Sequence, residues 1–135
     1  MTGVDIIGAL LLADDDILAK VAEASIKAGL LPDDVVLPAL LVRLTSGTER
    51  LQLKRVGRIL MVDRVSVTVR AGSYIDQTDI IQLVKDVCAG RTGSVGGGEN
   101  VSIINAGTGP DLPGPGNTFE QTTDFKVSYV VSVGE

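Results

Sequence analysis

Histidine and tryptophan are missing from this sequence, and cysteine occurs once, at Cys88. Without histidine there is neither an imidazole metal ligand nor an imidazole acid–base group. A lone cysteine excludes an intrachain disulfide framework and any multi-cysteine zinc site. Aromatic residues make up 3% of the chain, a poor basis for stacking nucleic-acid bases. No apolar run approaches the roughly 20 residues of a membrane span. No basic region precedes the short apolar run after Met1, so a secretory signal is not expected. Carboxylate and hydroxyl chemistry survive these exclusions.

What is present is a chain of 135 residues with 44% hydrophobic content, enough for one domain with its own core. The net charge is −5, from 17 acidic and 12 basic residues, so a uniformly basic nucleic-acid footprint is absent. The charge is zoned. Residues 1–36 hold seven acids and two bases, and residues 71–135 hold eight acids and three bases. Between them, residues 37–70 hold seven bases against Glu49 and Asp63. Arg50, Lys54, Arg55, Arg58, Arg64 and Arg70 are the candidate interface residues of that middle zone. Three roles are open to them: contacts with a neighbouring subunit or partner, ordinary solvated surface, or phosphates passing through a pore.

Periodicity predicts the elements. Val4, Ile7, Leu10 and Leu11 fall at helical spacing, with Thr2 as a candidate N-cap and Asp5 in the first turn. Asp14-Asp15-Asp16 interrupts that helix and caps a second, short one over 17–28, stopped at Gly29. The triplet lacks the spacing of a calcium loop. Residues 39–45 read as a strand, with Leu40, Val42 and Leu44 facing one way. Residues 48–58 form a basic segment, either a projecting arm or part of the sheet. Residues 58–70 are the clearest strand, with Val65, Val67 and Val69 on one face and Arg64, Ser66, Thr68 and Arg70 on the other. A helix over 76–89 carries Ile80, Ile81, Val84, Val87 and Cys88 on its apolar stripe, which places the thiol in the core. Tyr74, just before it, is expected as a partly buried anchor. Residues 90–116 hold nine of the 16 glycines and three of the five prolines, so 90–123 reads as a loop region broken by a short strand at 101–104. Its Gly96-Gly97-Gly98 run lacks the Gly-Lys-Ser/Thr of a phosphate loop. A final strand covers 125–133. The expected fold class is α+β: a small sheet of three to five mainly antiparallel strands, two main helices and a long Gly/Pro-rich loop.

No catalytic constellation emerges. Asp63 and Asp76 have no fixed separation, and Ser66 and Ser128 lack a recognisable base. No residue is assigned to catalysis, to a cofactor or to a metal.

This order of elements resembles the tail-completion and tail-terminator proteins of long-tailed bacteriophages. The likeness runs through the apolar helix at 4–12, the strand at 38–44, the strand at 64–70, the Gly72-Ser73 turn, the helix ending Val87-Cys88-Ala89-Gly90 and the closing strand at 123–133. It lies in order and pattern, not in a diagnostic motif. The basic segment and the Gly/Pro-rich stretch depart from it. The resemblance implies a structural protein without catalytic turnover, assembled in the host cytoplasm into the virion tail or neck. It implies a ring of this chain, commonly of six, that binds the tail-tube protein and the head–tail connector or stopper. DNA would pass through the lumen with only non-specific contact. A head-side connector or minor neck protein is the nearest alternative. A small ligand-binding protein or enzyme, with Asp63, Tyr74 and Arg70 converging on a pocket, is the alternative from another class.

Overall fold

The computed structural model describes residues 2–50 and 58–132, with side chains described over 2–47 and 59–131. Two helices, α1 (Gly3–Ala13) and α2 (Asp15–Lys20), are followed by a 3₁₀ turn (Glu23–Ser25) and strand β1 (Ile26–Ala28). Strands β2 (Ala39–Arg50) and β3 (Arg58–Ala71) lead to helix α3 (Tyr74–Cys88). Then come β4 (Thr92–Val95), β5 (Gly98–Thr108), β6 (Leu112–Gly114) and β7 (Thr118–Ser132). The sheet order is β1-β2-β3-β7-β5-β4, with β6 also on β7. Among the described residues, only the β1–β2 pair is parallel.

The fold class is α+β, but the sheet exceeds the expected three to five strands: seven are present among the described residues. Most of the excess lies in 90–123. That stretch, read as a loop, is mostly β4, β5, β6 and the start of β7. The second helix is also shorter than expected: α2 ends at Lys20, and 26–28 is strand. Position 44 keeps its expected face, opposite Val65. Leu44 is 51% exposed, and the register shifts between Leu44 and Ser46, a bulge that breaks the alternation.

The caps follow the chemistry of the sequence. Thr2 Oγ1 accepts from the Asp5 N–H at 3.4 Å, and the Thr2 N–H donates to Asp5 Oδ2 at 2.9 Å, a reciprocal capping box. Asp14 Oδ1 accepts from the Ile17 N–H at 3.0 Å and starts α2. Ser73 caps α3, and Gly90, at φ +79°, takes the left-handed conformation beyond its end.

The three helices pack on one face of the sheet. The core between them holds Ile6, Ile7 and Leu11 of α1, Ile17 of α2, and Ile80, Ile81 and Val84 of α3. The sheet contributes Leu40, Val42, Val65, Val67, Val69, Ile103, Phe125, Val127 and Tyr129. The period of two in β3 and β7 thus divides the sheet into a helix-covered face and an open face.

Cys88 is fully buried, as its place on the α3 stripe predicts. Burial pushes its thiol from an ordinary 9.0 up to about 12, against a smaller opposing pull from Arg91. The folded chain therefore holds this proton through a window in which the unfolded chain has lost it. Stability is expected to be intact below pH 9 and to fall as pH rises from 9 towards 12. A maleimide probe at neutral pH should leave Cys88 unmodified in the native protein and label it fully in denaturant.

Candidate assembly surface

The open face carries a polar ladder between β3 and β7. Register sets Ser66 opposite Asp124, Thr68 opposite Thr122 and Arg70 opposite Glu120. Ser66 Oγ donates to Asp124 Oδ1 at 2.7 Å, and the Thr68 and Thr122 hydroxyls meet at 2.8 Å. Arg70 Nε donates to Glu120 Oε2 at 2.9 Å and its Nη1 to the Pro32 carbonyl at 3.1 Å. Arg64 stands opposite Lys126, a like charge, and leans diagonally instead. Its Nε donates to Asp124 Oδ2 at 2.9 Å and its Nη2 to the Ala106 carbonyl at 3.2 Å. The flanking segments at 32 and 106 help to bury polar residues on a face with no helix over it.

These contacts place the predicted interface bases. Arg70 is 8% exposed, with its guanidinium engaged inside the chain. Arg64 is partly exposed and paired with Asp124, beside exposed Lys126 and near exposed Arg43. Arg50 and Arg58 are the end residue of β2 and the first of β3, and their side chains lie outside the described residues. Lys54 and Arg55 lie outside them altogether. The β2–β3 pairing runs out to Arg50 opposite Leu60, so residues 48–50 and 58 of the basic segment belong to the sheet, and 51–57 lie outside the described residues.

Asp63, Tyr74 and Arg70 are not brought together. Asp63 is buried on the helix side, where its Oδ2 accepts from the Gly3 N–H at 2.8 Å and from the Tyr129 O–H at 2.6 Å. Arg70 sits seven residues further along β3, on the opposite face. That spacing is about 23 Å of strand. Burial, and then the Asp63 bond, raise the Tyr129 hydroxyl well above its ordinary pKa. Asp63 joins the N-terminus of α1 to the centre of the sheet, and a carboxylate suits a helix N-terminus.

Tyr74 corrects its expectation: it is 51% exposed, not a partly buried anchor. Its ring meets Phe119 edge-on, with centroids 6.4 Å apart at 74°. Tyr74, Leu112, Pro113 and Phe119 border an open cavity of about 410 Å³ at the Ala71 end of β3. Ile75, beside Tyr74, is 71% exposed. Sequence reading overlooked this end. Its one available signal was the helical wheel: Ile75 precedes Val84 by nine residues, which at 100° per residue places it opposite the buried stripe.

Among the described residues, no group of three or more acidic or cysteine side chains is placed to hold a metal ion. No described helix is long and apolar enough to cross a membrane. No protein-family model and no curated protein sequence matches the chain. The fold is similar to that of a solved chain from the virion of a native gene transfer agent particle. That match has a TM-score of 0.70, covers 96% of this chain and 95% of that chain, and shows 12% identity. The likeness is one of fold.

Proposed function

We propose that this chain is a structural virion protein that forms a ring at the head-proximal end of a phage-type tail tube. The observation that carries the reading is the fold likeness to a virion chain over nearly the whole length of both proteins. The order of elements, which resembles tail-completion and tail-terminator proteins, supports the more specific position. In this reading the ring covers the tube's exposed subunit contacts, stops further addition and presents a different surface to the head connector. Its action is steric and needs no turnover. A heterologous contact repeated about an axis closes such a ring and leaves a bore for DNA.

Deleting the gene from the genome that encodes it tests the reading. Filled heads without attached tails, and tails of irregular length, are the expected products under electron microscopy. Particles with normal, attached tails would overturn it. In native particles the chain should sit at the junction of tail and head; a position inside the head shell would also count against the proposal.

A further inference from the structure

We infer that the Ala71 end of the sheet is a docking surface for the basic patch of a second copy of this chain. The inference rests on the ring reading and assigns its interface.

Four of the nine large hydrophobic side chains exposed among the described residues gather at this end: Tyr74, Ile75, Leu112 and Phe119. They come from the first turn of α3 and from the β6–β7 hairpin. Contiguous exposed apolar groups mark contact sites more often than scattered ones do. The surface is also held in place. Gln77, fully buried, donates through Nε2 to Asp111 Oδ1 at 2.7 Å and to Gln121 Oε1 at 3.3 Å. Gln121 Nε2 in turn donates to the Gly109 carbonyl at 3.0 Å. This web ties the 109–112 segment to α3, so little ordering remains to be done on binding.

Charge selects the occupant. The segments 29–38, 72–79 and 109–121 contain Asp33, Asp34, Asp76, Asp79, Asp111 and Glu120, and no lysine or arginine. Among the described residues, the Arg70 guanidinium is taken by Glu120 and Pro32, and Lys20 borders the same hollow as Asp79. Two such ends would repel, which disfavours a symmetric pairing of like ends. The complementary surface lies on the open face, where Arg43, Arg64 and Lys126 sit on neighbouring strands with Asp124 as the nearest counter-charge. Along β3 the position of Arg64 is about 20 Å, and that of Arg43, opposite Ser66, about 13 Å, from the position of Glu120, beyond ion-pair contact within one copy. Between copies the two patches join head to tail, the kind of contact that repeats around a ring.

Sedimentation velocity on the purified full chain tests this. Concentration-dependent self-association is expected, weaker at high salt than at low salt. Ile75→Ser should lower the association constant at least tenfold with an unchanged Tm. The pair Asp76→Lys/Asp79→Lys should do the same, as should Arg43→Glu/Lys126→Glu. Combining both pairs in one chain should restore association, because complementarity is reversed and not lost. A chain that is monomeric at every concentration, or association indifferent to Ile75→Ser and to both charge pairs, would overturn the assignment. Either result leaves virion membership standing, since that is read from particles lacking the gene product; normal particles after deletion would remove the ring reading whatever the sedimentation shows.

Discussion

Replacing Asp63 with alanine is expected to lower the unfolding free energy by about 3 kcal/mol or more. The carboxylate is 3% exposed and accepts two hydrogen bonds at one oxygen, from the Gly3 N–H and the Tyr129 O–H. The Gly3 N–H belongs to the first turn of α1, whose donors have no partner within the helix. Alanine leaves this donor and the tyrosine hydroxyl buried and unpaired, each costing about 1–3 kcal/mol. Tyr129→Phe removes one donor and leaves the Gly3 bond, so it should cost about 1 kcal/mol. Asp63→Asn keeps an acceptor of the same shape and should fall below the alanine variant in cost. Urea titrations of the three variants check the order. An alanine variant within about 0.5 kcal/mol of the parent would mean that these bonds contribute nothing net to folding.

The second large effect is expected at Gly96. This residue has φ +57°, and a Cβ built on it would lie 2.6 Å from the Ile6 carbonyl oxygen and 3.1 Å from Ile6 Cα. The obstacle is helix backbone, which cannot rotate aside as a side chain can. Gly96→Ala therefore combines a left-handed penalty of about 1–2 kcal/mol with displacement of the β4–β5 turn from α1. We expect a total of about 3 kcal/mol. Gly90→Ala is the matched control. It also has positive φ, at +79°, but nothing lies within 4 Å of the added carbon. It should show the conformational penalty alone. Equal losses at the two positions would refute the close packing of this turn on α1.

Much of this architecture was legible in local chemistry. The capping side chains Thr2 and Asp14, the Gly90 stop and the alternation of Val65, Val67 and Val69 all act within a few residues, so the chain displays them directly. Beyond the short strand at 101–104, which lies within β5, the β4–β6 region was not legible, because its glycines and prolines lower strand propensity while the strands are held by pairing with β5 and β7. Ile103 opposite Val127 and Pro113 opposite Phe119 are contacts that no local window contains. The candidate surface divides the same way. Its charge zoning is visible along the chain. Its apolar cluster is assembled from residues 74, 75, 112 and 119, and the Gln77–Asp111 bond that steadies it spans 34 positions. Tyr74 was misplaced because the helix begins at it, two residues earlier than expected, and its ring stands half-exposed beside Phe119.

The last of the described strands is also the middle of the sheet. β7 lies between β3 and β5 in the sheet order, and Arg64 and its partner Asp124 are 60 residues apart. During synthesis, β3 emerges long before the strand that covers its inner edge. The core therefore stays open until β7 has paired, and folding is governed by contacts distant in sequence, which form slowly. A nascent or prematurely terminated chain would offer the exposed edges of β3 and β5 to other chains in the same condition. Pairing of β7 with β3 on one side and β5 on the other thus removes both edges in one step.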